Sequence, residues 1–343
     1  MRPAATATPR PLPPVSLPRD EGPHDVLAEW WYYTGHLYPT NAPDRELGFE
    51  FVFFRGVRGE RPPGYAAHFA VTDVMRGRFA YDQRQDVALR EAARPTAASR
   101  GPGIVAAARE SGGFDMQLGD WSMRGANGSD SLQSALPGYA LDLSLTALKP
   151  PALHLGAPPL EPGLISFGPA GYSYYYSRTR MAAAGALVVD GARLEVRGEA
   201  WMDHQWGDFL VLGGGGWDWF AVNLADGRDV TASVIRDESG AVVIAYGTLV
   251  DAAGNAQHLA PGSFAIQGRG RWTSPRTGIA YPAGWSLRVP GVGLDLILQP
   301  LLPDQELDTR ASTGVIYWEG AVAVADATGT EVGRGYVELT GYK

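Results

Sequence analysis

The 343-residue sequence contains no cysteine. That excludes disulfides, thiolate metal sites and cysteine nucleophiles, and leaves the redox compartment undetermined. No apolar stretch approaches the ~18 residues of a membrane-spanning helix. There is no long run of Lys or Arg and the net charge is −8, which speaks against a nucleic-acid partner. The histidines, at 24, 36, 68, 154, 204 and 258, form no His-x-x-His or His-Glu-x-x-His pair. No metal and no cofactor is therefore expected, although Asp203-His204 alone offers two potential ligands. No Gly-x-Ser-x-Gly elbow marks a serine nucleophile. The glycine run Gly213 to Gly216 is followed at once by Trp217, so it reads as a turn or linker and not as a phosphate loop. Residues 1–24 are rich in Pro, Ala and Thr and lack an apolar core, so they read as a disordered lead and not as a secretory signal. The expected compartment is the cytoplasm, with the periplasm or secretion as the alternative for a trimmed or mis-started N-terminus.

Glycine (44), proline (26) and aromatic residues (10 Trp, 15 Tyr, 11 Phe) are plentiful, which favours many short strands and turns. Strands are expected at Glu29 to Leu37, Leu47 to Phe54, Tyr65 to Asp73, Met116 to Met123, Tyr139 to Leu148, Tyr172 to Arg180 and Arg193 to Asp208. Residues 81–110 turn to Ala, Arg and Gln and read as an excursion with a little helix. Beyond the glycine run, strands recur every ~8 to 20 residues with turn signals such as Asp226-Gly227 and Ser239-Gly240, and no segment has the length and 3.6 periodicity of a long helix. The expected fold is all-β, with two antiparallel barrel domains in tandem over residues 25–208 and 209–343, joined near 208–216. Closed barrels remove sheet edges and can keep a lumen for a small ligand.

The densest chemistry lies between Gly198 and Asp208. Strand alternation puts Glu199, Trp201, Asp203 and Gln205 on one face and Ala200, Met202, His204 and Trp206 on the other. An unpaired buried carboxylate is costly, so this acidic and aromatic face points to a site, the alternative being a strand end whose acids are solvated and whose tryptophans pack. Glu29 shares a face with Trp31 and Tyr33 and reads either as a second acid or as a strand-entry residue in solvent.

Four stretches, Glu29 to Leu37, Ser173-Tyr174-Tyr175-Tyr176-Ser177, Trp201 to Gly207 and Gly335 to Tyr342, together resemble the AttH/CrtC-like lipocalin-type family from about residue 25 to the C-terminus. That family includes carotenoid 1,2-hydratase (hydroxyneurosporene synthase), isoflavonoid hydratases of the kievitone hydratase type, and decalin-forming pericyclases. The resemblance implies two lipocalin-like barrels. It also implies a hydrophobic isoprenoid or polyketide as partner, acquired through transient membrane contact. It leaves three readings: a cofactor-free hydratase (a carbon–oxygen lyase), a carrier of an apolar ligand, and a pericyclase.

Hydrating an isolated alkene needs a proton donor, a pocket that tolerates a tertiary cation, and a positioned water. A carboxyl in an apolar site stays protonated near neutral pH because desolvation raises its pKa. Asp203 is the expected acid, with Glu199 its same-face neighbour. Trp201 with Trp31 or Tyr33 would stabilise the cation through ring faces, and Trp206, Tyr174, Tyr176 and Trp217 would contact substrate. His204 joins the catalytic set only if a bulge re-aims it; otherwise it is a hydrogen-bonded histidine between packed tryptophans.

Overall fold

The computed structural model describes residues 12–57, 62–86, 105–108, 112–156, 160–209 and 215–343. Gly213 and Gly214 of the expected linker, and residues 87–104 of the Ala/Arg/Gln-rich excursion, lie outside them. The described residues contain no α-helix, only three short 3-10 turns, so the all-β expectation holds. Apart from the small ribbon of Trp272–Thr273 and Ala280–Tyr281, the described strands form two curled antiparallel sheets, the first close to a barrel and the second a half-barrel.

The first sheet runs in the order Arg78–Gln85, Gly64–Asp73, Leu47–Gly56, Ala28–Pro39, Ala192–Phe209, Gly171–Val189, Tyr139–Ala147, Ser129–Leu136, Trp121–Ala126, Phe114–Leu118, Val105–Ala108. Its spine is the long hairpin of Gly171–Val189 and Ala192–Phe209. Asp190 and Gly191 join them at φ 48° and 84°, the left-handed pair that matches strand twist in a two-residue turn. The second sheet runs Ala256–Leu259, Val242–Val250, Asp229–Arg236, Gly216–Leu224, Glu331–Thr340, Ile316–Asp326, Leu294–Pro300, Trp285–Val289, Ala265–Gly268.

Two expectations need correction. Met116 to Met123 is not one strand: Gly119, at φ 67°, turns the chain between Phe114–Leu118 and Trp121–Ala126. Residues 12–24 are not a disordered lead. Asp20 and Glu21 are buried, Glu21 pairs with the Arg178 guanidinium, and the Glu21 carbonyl accepts the Trp31 indole N–H at 3.0 Å.

The central strands of the first sheet are buried on both faces. Trp31, Tyr33, Phe49, Phe51, Phe53, Met202 and Trp206 fill the interior of the first sheet, while the alternate positions Tyr32, Val52 and Trp201 pack against Trp219, Ala321 and Tyr336 of the second. The second sheet behaves likewise, since Phe220, Trp318, Val337 and Leu339 point into its own core. Polar residues at alternate positions would face water on an isolated barrel. Here the other sheet covers them, and this layering creates the site.

Candidate active site between the two sheets

A cavity of about 620 Å³ lies where the sheets face each other, within the size range of small-molecule sites. Its walls are largely aromatic, with Trp30, Tyr32 and Tyr175 from the first sheet and Trp217, Trp219 and Tyr317 from the second. Five acidic residues line it: Glu29, Glu50, Asp203, Glu319 and Glu338.

Asp203 is 4% exposed. Its Oδ2 accepts the Tyr175 hydroxyl at 2.7 Å, and its Oδ1 accepts the Trp201 indole N–H at 2.6 Å and the Ser177 hydroxyl. The Trp219 indole donates to the Tyr175 oxygen at 3.0 Å. Register explains the cluster, because Ser177 lies opposite Asp203 and Tyr175 opposite Gln205, so all four share a face. Burial pushes the Asp203 carboxyl up to about 6, against the opposing pull of these hydrogen bonds. Behind Ser177, His154 Nε2 lies 2.6 Å from the Ser177 hydroxyl and its Nδ1 2.9 Å from that of Thr248. Desolvation holds His154 neutral, its pKa lowered to about 3. With Ser177 donating to Asp203, the ring donates at Nε2 and accepts from Thr248, which makes a continuous chain of hydroxyl, imidazole, hydroxyl and carboxyl.

His204 faces the other way, into the first sheet's interior, and no bulge re-aims it. It packs between Trp31 and Trp206, with both ring centroids at 4.6 Å, and its Nε2 lies 2.9 Å from Glu29 Oε1. His24 Nδ1 meets the same oxygen at 2.7 Å. Glu29 is therefore not a solvent residue: it borders the cavity, but its buried carboxyl is bonded to His204 and His24. Burial raises its carboxyl, but the hydrogen bonds from His204 and His24 outweigh that and leave its pKa lowered. His24, Glu29 and His204 bring ligand atoms within 4.8 Å of one another and are the described residues that could hold a metal. Their separation along the chain hides this trio from any spacing motif.

Glu199 does not reach the cavity. It is exposed and pairs with Arg180 at 2.9 Å. Trp31, Tyr33, Tyr174, Tyr176 and Trp206 belong to the first sheet's interior cluster and lie on the wrong face for the cavity. Trp201 lies beside the cavity wall as a donor to Asp203, and Trp217 lines the cavity as expected. Sequence reasoning missed Tyr175, Trp219, Glu50, Glu319 and Glu338. The available signal was an acid flanked on both sides by non-polar residues within each of three strands: Phe49-Glu50-Phe51, Trp318-Glu319-Gly320 and Val337-Glu338-Leu339.

These buried groups set the pH dependence of stability. His68 and His154, desolvated, drop from 6.5 to about 3, and His204 drops to about 4. The unfolded chain takes up these protons below pH 6.5 and the folded one does not, so the stability they contribute above 6.5 is lost as pH falls. The carboxyls act oppositely. Desolvation raises Glu50 to about 8 and Glu338 to about 7 from 4.5, so their contribution, complete below 4.5, is lost as pH rises through 7 and 8. The melting temperature is expected to peak between about pH 5 and 6 and to fall by about 5–10 °C at pH 8.5. Thermal melts across that range check it, and a curve still rising at pH 8 would contradict it.

The chain matches the AttH-like family model over residues 8–342. A crystal structure described as an AttH protein from Nitrosomonas europaea is 32% identical, with a TM-score of 0.81 over 97% of this chain and 99% of that one. The crystal structure of kievitone hydratase from Nectria haematococca is 16% identical, with a TM-score of 0.69 over 96% of this chain and 93% of that one, a likeness of fold. No curated protein matches the sequence. The match over nearly the whole chain shows that this protein belongs to the AttH-like family.

Proposed function

We propose that the protein is a cofactor-free hydratase that adds water to a C=C bond of a hydrophobic isoprenoid such as an acyclic carotenoid. The observation that carries this reading is Asp203, a buried carboxyl at an aromatic cavity with its pKa raised to about 6. In its protonated form Asp203 donates to the Tyr175 oxygen, and the Tyr175 hydroxyl passes a proton to the alkene carbon. The π electrons form the new C–H bond and leave a tertiary cation facing Trp30, Tyr32 and Trp219. Water then bonds to the cation and returns a proton to Asp203 through Tyr175. The balance is alkene plus water to tertiary alcohol. Because the acid form works, kcat/KM is expected to fall about tenfold per pH unit above the Asp203 pKa, a slope that rate measurements from pH 5 to 8 would read.

A carrier reading is favoured by one observation: Asp203 already accepts three donors, as a purely structural carboxylate would. Incubation of the protein with an acyclic carotenoid in D2O separates the two. Hydration puts one deuterium on the protonated carbon. Ligand recovered bound and undeuterated supports the carrier, and an isomer formed without deuterium supports a pericyclase.

A further inference from the structure

The cavity also holds polar atoms whose hydrogen-bonding capacity the hydration step does not use. Glu319 and Glu338 stand directly opposite each other across the ladder of Ile316–Asp326 and Glu331–Thr340, where two like charges are unfavourable. Glu338 has a hydrogen bond from the Trp217 side chain. Glu319 is 1% exposed, and neither of its carboxyl oxygens has a hydrogen-bond partner among the described residues. On the facing sheet, the Tyr32 hydroxyl and Glu50 Oε2 are likewise buried and unpartnered among the described residues. All of these residues line the cavity.

Unsatisfied buried polar groups are costly and are normally bonded. Three of them aimed into one aromatic cavity mark a place where a ligand supplies the partner. Desolvation first, and the facing Glu338 second, raise the Glu319 carboxyl well above its ordinary range and favour its neutral acid form. It therefore presents an O–H donor, as does Tyr32. We propose that Glu319, with Tyr32 and Glu50, forms a subsite that binds a neutral oxygen of the ligand, a carbonyl or a phenolic hydroxyl, by donating hydrogen bonds to it. This rests on the reading of the cavity as the ligand site, and it narrows the substrate class. The favoured ligand is an oxygen-bearing isoprenoid or polyketide whose apolar body lies along the aromatic wall, in preference to a pure hydrocarbon.

Displacement of Nile red at pH 7 tests this with three probes of equal length: farnesylacetone, its analogue with a methylene in place of the carbonyl, and the corresponding amine. The ketone is expected to bind at least about tenfold more tightly than the hydrocarbon. Glu319→Leu is expected to bring the two within about twofold by weakening the ketone alone, and to raise the melting temperature by removing a buried acid. Glu319→Gln keeps an N–H donor and is expected to retain most of the preference, which keeps the test informative should the leucine variant fold poorly. Equal affinities in the wild type, a preference that survives Glu319→Leu, or an amine bound more tightly than the ketone would each overturn the proposal. Absence of deuterium uptake with the ketone preference intact would remove the reaction and leave the subsite standing. Hydration without such a preference would do the reverse.

Discussion

Asp203→Asn is expected to lower turnover by about 10²- to 10⁴-fold, the usual contribution of a positioned acid, and to leave substrate affinity within about threefold. The asparagine side chain is nearly isosteric and its carbonyl oxygen can still accept the Trp201 and Ser177 donors. Its amide, however, presents N–H to the Tyr175 hydroxyl, where the wild type presents a carboxyl oxygen. No proton can then pass to Tyr175. Burial is what makes the acid usable near neutral pH, and the amide removes the titration altogether. Single-turnover rates together with Nile red displacement separate chemistry from binding. A variant within tenfold of wild-type turnover would remove Asp203 from the proton path and turn attention to Glu319.

Asp229→Ala is expected to destabilise the fold by about 3–5 kcal/mol, as breaking a buried ion pair from one side does. Asp229 is fully buried at the start of Asp229–Arg236. It accepts Lys149 Nζ at 2.7 Å, Arg180 Nη2 at 2.8 Å, the Thr179 hydroxyl at 2.8 Å and the Asn223 amide at 2.8 Å. Lys149, Thr179 and Arg180 come from the first sheet's side, so one carboxylate bridges the two halves. Its removal leaves Lys149, itself nearly buried, without its counter-charge. Glu199→Ala, which breaks only the exposed end of the same Arg180 network, is expected to cost about 0–1 kcal/mol. Urea unfolding of both variants gives the contrast, and similar losses for the two would contradict the bridging role.

Period-two alternation over residues 199–206 correctly separated Trp201, Asp203 and Gln205 from Met202, His204 and Trp206, because a paired strand has no other choice. Alternation within one strand does not say which face of a neighbouring strand joins it. Tyr32, not Trp31 or Tyr33, stands opposite Asp203 in the ladder, so the odd-numbered aromatics went inward and Trp30 and Tyr32 reached the cavity. Glu199 failed for a different reason: it sits on the expected face but is exposed and paired with Arg180. The carboxyls of the second sheet were invisible as a group because Glu319 and Glu338 meet Glu50 and Asp203 only after the two sheets dock. His24 met Glu29 and His204 only because residues 12–24 pack onto the first sheet, which their composition argued against.

In the proposed reaction, Asp203 delivers a proton so that water can add. Wild type and Asp203→Asn, incubated side by side with an acyclic carotenoid in water enriched in oxygen-18, test this most directly by product mass. The expected result is a wild-type product heavier than substrate by one labelled water, absent or nearly so with the variant. Equal label with both proteins would contradict Asp203 as the acid, and bound ligand of unchanged mass with the wild type would contradict the hydratase reading itself.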